Sequence, residues 1–298
     1  MVTLLYYCIN YDPYCVALYH CFITLLCLLD KYLTRGRKQC LPLCTTKARR
    51  LTLLIIVLFR SLAFLQVTGE SDCRSTQRLS LSRGVITSHQ HGFIAKRSTT
   101  TNLLDSLNDW TLSVENKRIE TIVHVDFARA FDTVSHEKLQ LKLQACGITG
   151  HLLLLISNFW HDCSQVTKVG QHISQRISLT SGVVQGSCLG PLLFLICIND
   201  LVSVFNTSVT PELYADDLKL YACLSCSSSC ADFQQNLDRL TEWANVWQLT
   251  ISVKKCCIMR VGNRQTLDDG PMHQFVLCND TPKYVNVVND LGVLVDPY

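Results

Sequence analysis

The chain has 298 residues, 48% of them hydrophobic and 17% charged. It is too apolar and too weakly charged to be a disordered chain and too long to be a disulfide-stapled mini-protein. One large domain, or one domain with an appendage, fits the length. The net charge of +3 hides an asymmetry: residues 1–88 carry 11 Lys and Arg against 4 Asp and Glu, while residues 89–298 carry 16 against 20. The 17 cysteines are odd in number and scattered, and Cys21, Cys27 and Cys197 lie inside apolar runs. Free thiols in a reducing, intracellular compartment explain that pattern better than disulfides do. Cys223, Cys226 and Cys230 have ligand-like spacing, but no second ligand group at matched spacing accompanies them, so they read as a Ser/Cys-rich loop.

In chain order, the run 13–29 is uncharged and is followed by Lys31, Arg35, Arg37 and Lys38. That is the lower limit of a membrane span with a basic cytoplasmic flank, which makes a membrane-anchored protein one alternative reading. A second apolar run, 51–65, is interrupted by Arg60, and neither run reads as a cleaved signal. Ser, Thr, Arg and Gln dominate the linker-like stretch 69–83. The sequence therefore divides into a hydrophobic, basic segment at 1–83 and an ordered domain at 84–298.

Within that domain, Leu103, Leu107, Trp110 and Val114 recur at helical spacing behind Ser98, Thr99, Thr100 and Thr101. Residues 119–127 alternate as a strand, with Thr121, Val123, Val125 and Phe127 on one face and Ile122, His124 and Asp126 on the other. Ser135 can cap a helix that stops at Gly147, and Gly190 with Pro191 opens a buried helix over 192–198. Two apolar half-strands between 213 and 221 flank Asp216 and Asp217, a hairpin with two carboxylates at its tip. Phe233, Leu237, Leu240, Ala244 and Trp247 line one face of an amphipathic helix, with Trp243 and Trp247 read as core aromatics. His124 and His136 are read as structural and Lys254 as solvated. Strand, helix, hairpin, helix and strand together describe an α+β fold, a sheet with helices on one face.

Ionised carboxylates at the ends of apolar strands are expensive unless positive charge joins them. A pair of divalent cations would do so: Mg2+, with Mn2+ as its substitute, takes one or two carboxylates plus substrate phosphates. Three carboxylates from neighbouring strands are the protein's half of a two-metal phosphoryl-transfer site. On spacing alone, an Asp-Asp pair is as well explained by an ordinary turn.

The words around the acids add to this. Val125-Asp126-Phe127-Ala128-Arg129-Ala130-Phe131-Asp132-Thr133-Val134 resembles the first catalytic motif of reverse transcriptases from non-LTR (LINE-type) retrotransposons. Ser181-Gly182-Val183-Val184-Gln185-Gly186 through Pro191-Leu192-Leu193-Phe194 is similar to their second, and Tyr214-Ala215-Asp216-Asp217 to their signature tetrapeptide. His91-Gly92-Phe93 with Arg97-Ser98-Thr99 resembles the upstream fingers motif, and Asp290-Leu291-Gly292-Val293 the segment after the palm. The resemblance runs from about Ser88 onward, in the family's order and spacing.

It implies a polymerase palm, a ferredoxin-like split βαβ antiparallel sheet with packed helices, plus part of the fingers. It also implies RNA-directed DNA polymerase activity: nucleotidyl transfer from dNTPs onto a DNA primer 3′-hydroxyl, with RNA as template. By similarity, Asp126, Asp216 and Asp217 would bind metal together with the Phe127 carbonyl. Phe131 would be the gate against a 2′-hydroxyl, and Gln185 with Gly186 would lie against nucleotide and template. Arg97 and Arg129 would contact triphosphate or strand backbone, and Lys255 would protonate departing pyrophosphate. The chain departs from the pattern at Val184, where Pro is usual, at Ile94-Ala95-Lys96, where a more basic stretch is usual, and at Ser252, where Asn is usual. Residues 1–80 do not match the early fingers motifs, the chain stops before an expected thumb, and no endonuclease is present. The net −4 of residues 89–298 disfavours template binding. These departures define a second alternative, a catalytically silent retrotransposon relic that keeps the palm fold.

Overall fold

The computed structural model describes residues 3–7, 86–160, 163–187, 189–224, 226–263, 267 and 272–297. The runs 13–29 and 51–65 and the stretch 69–83 lie outside the described residues. Among the described residues no helix is long and apolar enough to cross a membrane, and the nine cysteines described are all free thiols.

In chain order the elements are β1 (Thr3–Tyr7), α1 (Thr99–Glu115), β2 (Glu120–Val125), α2 (Ala130–Thr133), α3 (His136–Ala145) and α4 (Gly150–Trp160), then β3 (Ser164–Val169), β4 (His172–Ile173), β5 (Ile177–Ser178) and α5 (Leu189–Ile198). A 3₁₀ turn at Leu201–Val204 precedes β6 (Thr210–Tyr214), β7 (Asp217–Cys223), α6 (Ser227–Trp247), β8 (Cys257–Val261), β9 (Lys283–Tyr284), β10 (Val288–Asp290) and β11 (Val293–Val295). The chain forms two compact units. Of the described residues, one holds those within 3–7, 140–180 and 184–190, and the other those within 86–139, 181–183 and 191–297. In the first, β3 is paired antiparallel with β1, β4 and β5.

The second unit is built on a five-stranded sheet in the order β6-β7-β2-β8-β9. Its first three junctions are antiparallel, but β8 and β9 run parallel, so the expected wholly antiparallel sheet is corrected at that edge. About 20 residues separate β8 from β9, long enough for the chain to return to the starting end, as a parallel pair requires. β2 is central and buried on both faces. Ile122 faces Tyr221 and Met259 across the strands and joins Trp110 and Val261 in one core cluster, against which Val114, Val285, Val288 and Val295 pack. On the opposite face Val123, Leu220 and Ile258 are completely buried. Truncating Trp110 to Ala would cost about 3–5 kcal/mol.

α1 starts as expected. The Thr101 N–H donates to Ser98 Oγ at 3.2 Å and the Ser98 N–H to Thr101 Oγ1 at 2.9 Å, a reciprocal cap. Its buried face differs from the apolar reading: Asn102, Leu103, Ser106 and Trp110 are inside, while Leu107 is 37% exposed. The reason is that α1 packs on β6, where buried Glu212 and the Leu213 carbonyl need donors, and Asn102 Nδ2 donates to both at 3.3 Å. In α6, Phe233, Leu237, Leu240 and Ala244 are buried as the periodicity predicts. Trp243 is a core aromatic, its Nε1 donating to Asp200 Oδ1 at 3.1 Å. Among the described residues Cys223, Cys226 and Cys230 belong to no metal-holding cluster; the Cys226 N–H donates to Ser229 Oγ at the start of α6, a helix cap.

Candidate active site

β2 ends at Val125, opposite Leu218 of β7. One step further along both strands stand Asp126 and Asp217, and the turn Ala215–Asp216 that joins β6 to β7 carries the third carboxylate. With side chains alternating along a strand, His124 and Asp126 share a face with Asp217 and Lys219. Burial, reinforced by Asp216 and Asp126, pushes the Asp217 carboxyl up to about 6 even though Asp217 reaches solvent. Burial, then Asp126, raises Asp216 as well. Lys255, 67% exposed, brings its Nζ within 3.4 Å of Asp126 Oδ1. That is ion-pair reach without a hydrogen bond, and Oδ1 remains a buried oxygen lacking a hydrogen-bond partner.

The backbone of Asp126 is clamped by the segment before β8. Its carbonyl accepts from the Ser252 N–H at 2.8 Å, its N–H donates to Cys256 Sγ at 3.4 Å, and the next donor, the Ala128 N–H, reaches the Thr250 carbonyl at 2.8 Å. Burial pushes the Cys256 thiol up to about 11, so it serves as a neutral acceptor.

Three neighbouring carboxylates, two held above their usual range and one with an orphaned buried oxygen, call for more positive charge than one exposed lysine supplies. The residues fit divalent cations: Asp126, Asp216 and Asp217, with the Phe127 carbonyl next in the chain. Among the described residues no group of three or more His, Cys, Asp or Glu side chains is by itself placed to hold a metal ion. Water and substrate phosphates would complete the coordination, which is the habit of Mg2+.

Phe131 is half-buried, stacked on Phe194 with centroids 4.0 Å apart and met edge-on by Phe93 at 5.9 Å. Phe127 points inward, 4% exposed, edge-on to Trp243, which leaves its main chain as the part a cation could use. Arg129 is exposed and has a left-handed backbone, φ 51°, at the start of α2. Arg97 turns inward and donates to the carbonyls of Ser88 and Gln90. Gln185 and Gly186 belong to the other unit and are exposed there. A Cβ on Gly186 would meet nothing within 4 Å, but its φ is +80°. That left-handed backbone calls for glycine.

Two features include residues outside the motifs. A cavity of about 220 Å³ is lined by His124, Asp126, Asp217, Lys219, Lys255 and Asp290, among others. Lys219 and Asp290 form a buried ion pair at 2.8 Å, both side chains 5% exposed, and Lys219 Nζ lies 5.8 Å from the Trp110 ring centroid. His124 is neutral, since burial pulls its imidazole down to about 4. The second feature is Gln90, 1% exposed, hydrogen-bonded to the turn that carries Asp216. Only apolar and charged patterns stand out in a sequence, and a neutral amide gives neither signal.

Together these observations describe three neighbouring carboxylates at one end of a mixed α/β sheet. Residues 68–287 match the family model of the reverse transcriptases (RNA-dependent DNA polymerases), and the chain belongs to that family. It is similar to the RNA-directed DNA polymerase from mobile element jockey of Drosophila funebris, 29% identical over 215 residues, covering 70% of this chain and 23% of that protein. The probable RNA-directed DNA polymerase from transposon X-element of Drosophila melanogaster is 28% identical over 179 residues, covering 58% of this chain and 20% of that protein. The Pol polyprotein from type-1 retrotransposable element R2 of Popillia japonica is 34% identical over 110 residues, 33% of this chain and 18% of that protein. The non-LTR resemblance carried by the motifs is thus borne out, and the chain spans about a fifth of the length of the curated relatives it matches. Among solved structures, apo telomerase from Candida tropicalis, truncated from its C-terminal domain, matches with a TM-score of 0.50 at 13% identity, over 80% of this chain and 47% of that one. At that identity the likeness is one of fold alone.

Proposed function

We propose that this chain is the catalytic part of an RNA-directed DNA polymerase derived from a non-LTR retrotransposon, adding dNTPs to a DNA primer 3′-hydroxyl under the direction of an RNA template. The sheet order β6-β7-β2-β8, with a helix crossing from β7 to β8, supports a polymerase palm of the split βαβ kind, within a reverse transcriptase part at 84–298. The observation that carries the reading is the meeting of Asp126, Asp217 and Asp216 at one end of the central strands, inside the stretch that matches the family.

In this reading Asp126, Asp216 and Asp217, with the Phe127 carbonyl, hold Mg2+. When bound, such cations activate the attacking hydroxyl and stabilise the leaving group's charge. The chain's own residues do the positioning. The 250–256 segment fixes Asp126 and the β6–β7 turn fixes Asp216. Phe131, wedged between Phe93 and Phe194, occupies the place of a wall against a 2′-hydroxyl. Lys255 is exposed beside Asp126, where it can give a proton to departing pyrophosphate. Arg129 is the exposed guanidinium for triphosphate or strand backbone, and Arg97 braces the 88–90 backbone; Gln185 with Gly186 are assigned to nucleotide and template by the motif resemblance alone.

The test is primer extension on an RNA template with Mg2+ and dNTPs, comparing the chain with Asp216→Asn, both shown to be folded by circular dichroism. Incorporation by the wild type that falls to background in the variant is the expected result. Equal incorporation by both would overturn the site, and no incorporation by a folded wild type would favour the silent-relic reading.

A further inference from the structure

The turn that presents Asp216 is built against its own preference. Tyr214 pairs with Asp217, so Ala215 and Asp216 are its two central residues, and Ala215 sits at φ 56°. In two-residue hairpins that position normally holds Gly. Nothing within the turn supports an alanine there; the support comes from residues 88–92. His91 N–H donates to the Leu213 carbonyl at 2.8 Å and Leu213 N–H to the His89 carbonyl at 2.9 Å, which lays this segment parallel to β6 and drives the Gln90 side chain under the turn. There its carboxamide grips a single residue twice. The Ala215 N–H donates to Gln90 Oε1 at 2.7 Å, and Gln90 Nε2 donates to the Ala215 carbonyl at 3.1 Å. The Gly92 N–H donates to the same Oε1 at 2.7 Å.

The Ala215 carbonyl belongs to the peptide that leads into Asp216, so this grip sets the plane from which the carboxylate departs. Gly92 lets the segment come this close: a Cβ there would lie 2.2 Å from the Ala215 nitrogen. Arg97, donating to the carbonyls of Ser88 and Gln90, ties the segment down from the other side.

We infer that Gln90 is a positioning residue, whose buried carboxamide holds the Ala215–Asp216 turn in the shape that presents Asp216 to a divalent cation beside Asp126 and Asp217. The inference rests on the reading of those carboxylates as metal ligands. Loss of a partner that orients a metal ligand costs about 10–100-fold in metal affinity or activity.

The test uses the full chain with primer–template and three forms: wild type, Gln90→Met, which keeps the length and removes all three hydrogen bonds, and Gln90→Glu, which keeps the acceptor and loses the donor. Three readouts are taken: Mn2+ affinity by electron paramagnetic resonance, hydrogen exchange of the Ala215 amide, and the Mg2+ dependence of extension with kcat and KM separated. In Gln90→Met the Ala215 amide exchanges at least about tenfold faster and Mn2+ binds about 10–100-fold more weakly. Its kcat falls with an unchanged dNTP KM, and Gln90→Glu recovers part of each loss. A folded Gln90→Met with wild-type Mn2+ affinity and wild-type Ala215 exchange overturns the role of Gln90 while leaving the metal site standing. A folded wild type that binds no Mn2+ overturns the metal site and the inference together. Where Gln90→Met does not fold, Gln90→Glu is judged by the same two measurements.

Discussion

Replacing Lys219 with Met while Asp290 stays in place strands a carboxylate that is 5% exposed. The pair is short, 2.8 Å from Nζ to Oδ2, and neither group can turn to water without moving β7 or the β10–β11 hairpin. Removing one partner of such a pair costs about 3–5 kcal/mol, because the remaining charge loses both solvent and counter-ion. Against a typical domain stability of about 5–15 kcal/mol, that is a third or more of the total. Removing both charges, in Lys219→Met with Asp290→Leu, should be neutral or stabilising by up to about 4 kcal/mol. The assay is urea unfolding followed by circular dichroism at pH 7, extrapolated linearly to water. A cost below about 1 kcal/mol at pH 7, or single-variant costs that simply add, would refute the reasoning.

Two further outcomes follow from the same geometry. Because the folded-state value of Asp217 stands near 6, above the usual carboxylate range, the native state holds more protons than the unfolded one, and the cation-free chain should lose stability as pH rises from about 4 to about 6. Asp217→Asn should remove that loss, unfold about 2–4 °C higher than wild type at pH 7 without divalent cations, and give up the stabilisation that millimolar Mg2+ confers on wild type. Thermal scans showing no difference between the two forms would count against the crowded-carboxylate account. Phe131→Val, which removes a ring held between Phe93 and Phe194, should raise ribonucleotide use relative to deoxyribonucleotide use by about 10–100-fold. An unchanged ratio in single-nucleotide extension would show the ring to be a core residue.

Much of the fold was legible because periodicity and burial agree where packing is apolar. The strand over 119–127 came out close to the observed Glu120–Val125, and the α6 stripe matches the buried Phe233, Leu237, Leu240 and Ala244, with Trp247 only half-buried. Reading failed where a helix buries polar groups. On α1, hydrophobicity favoured Leu107 for the interior, whereas Asn102 and Ser106 are buried: Asn102 donates to Glu212 and the Leu213 carbonyl across the interface, and Ser106 Oγ donates back to the Asn102 carbonyl. It was silent on α4, whose Leu-rich run in Gly150–Trp160 has too little polar contrast to show a face. It was silent also on β3, β4 and β5, whose residues are half-buried or exposed. The parallel β9 edge depends on where a connection of about 20 residues returns, which no local pattern encodes.

The site divides along a different line. Asp126, Asp216, Asp217 and Lys255 were legible because they stand in motifs that resemble the family's, where the proposed chemistry restricts residue type. The groups that hold them were not. Gln90 lies 125 positions from the backbone it grips, and Lys219 lies 71 positions from Asp290. Neither distance leaves a trace in a single sequence, and a glutamine would serve as well on any surface. In the proposed reading these are the residues that set the site's rigidity: the three acids repel one another, two of them sit above their usual titration range, and one bears an orphaned oxygen. Cations and substrate phosphates would relieve that tension only when they bind, so before binding the acids must be kept together by neutral or paired groups that add no negative charge. A buried carboxamide under the turn, a protonated thiol on the Asp126 N–H and a lysine already neutralised by Asp290 each meet that condition, and a further free carboxylate would not.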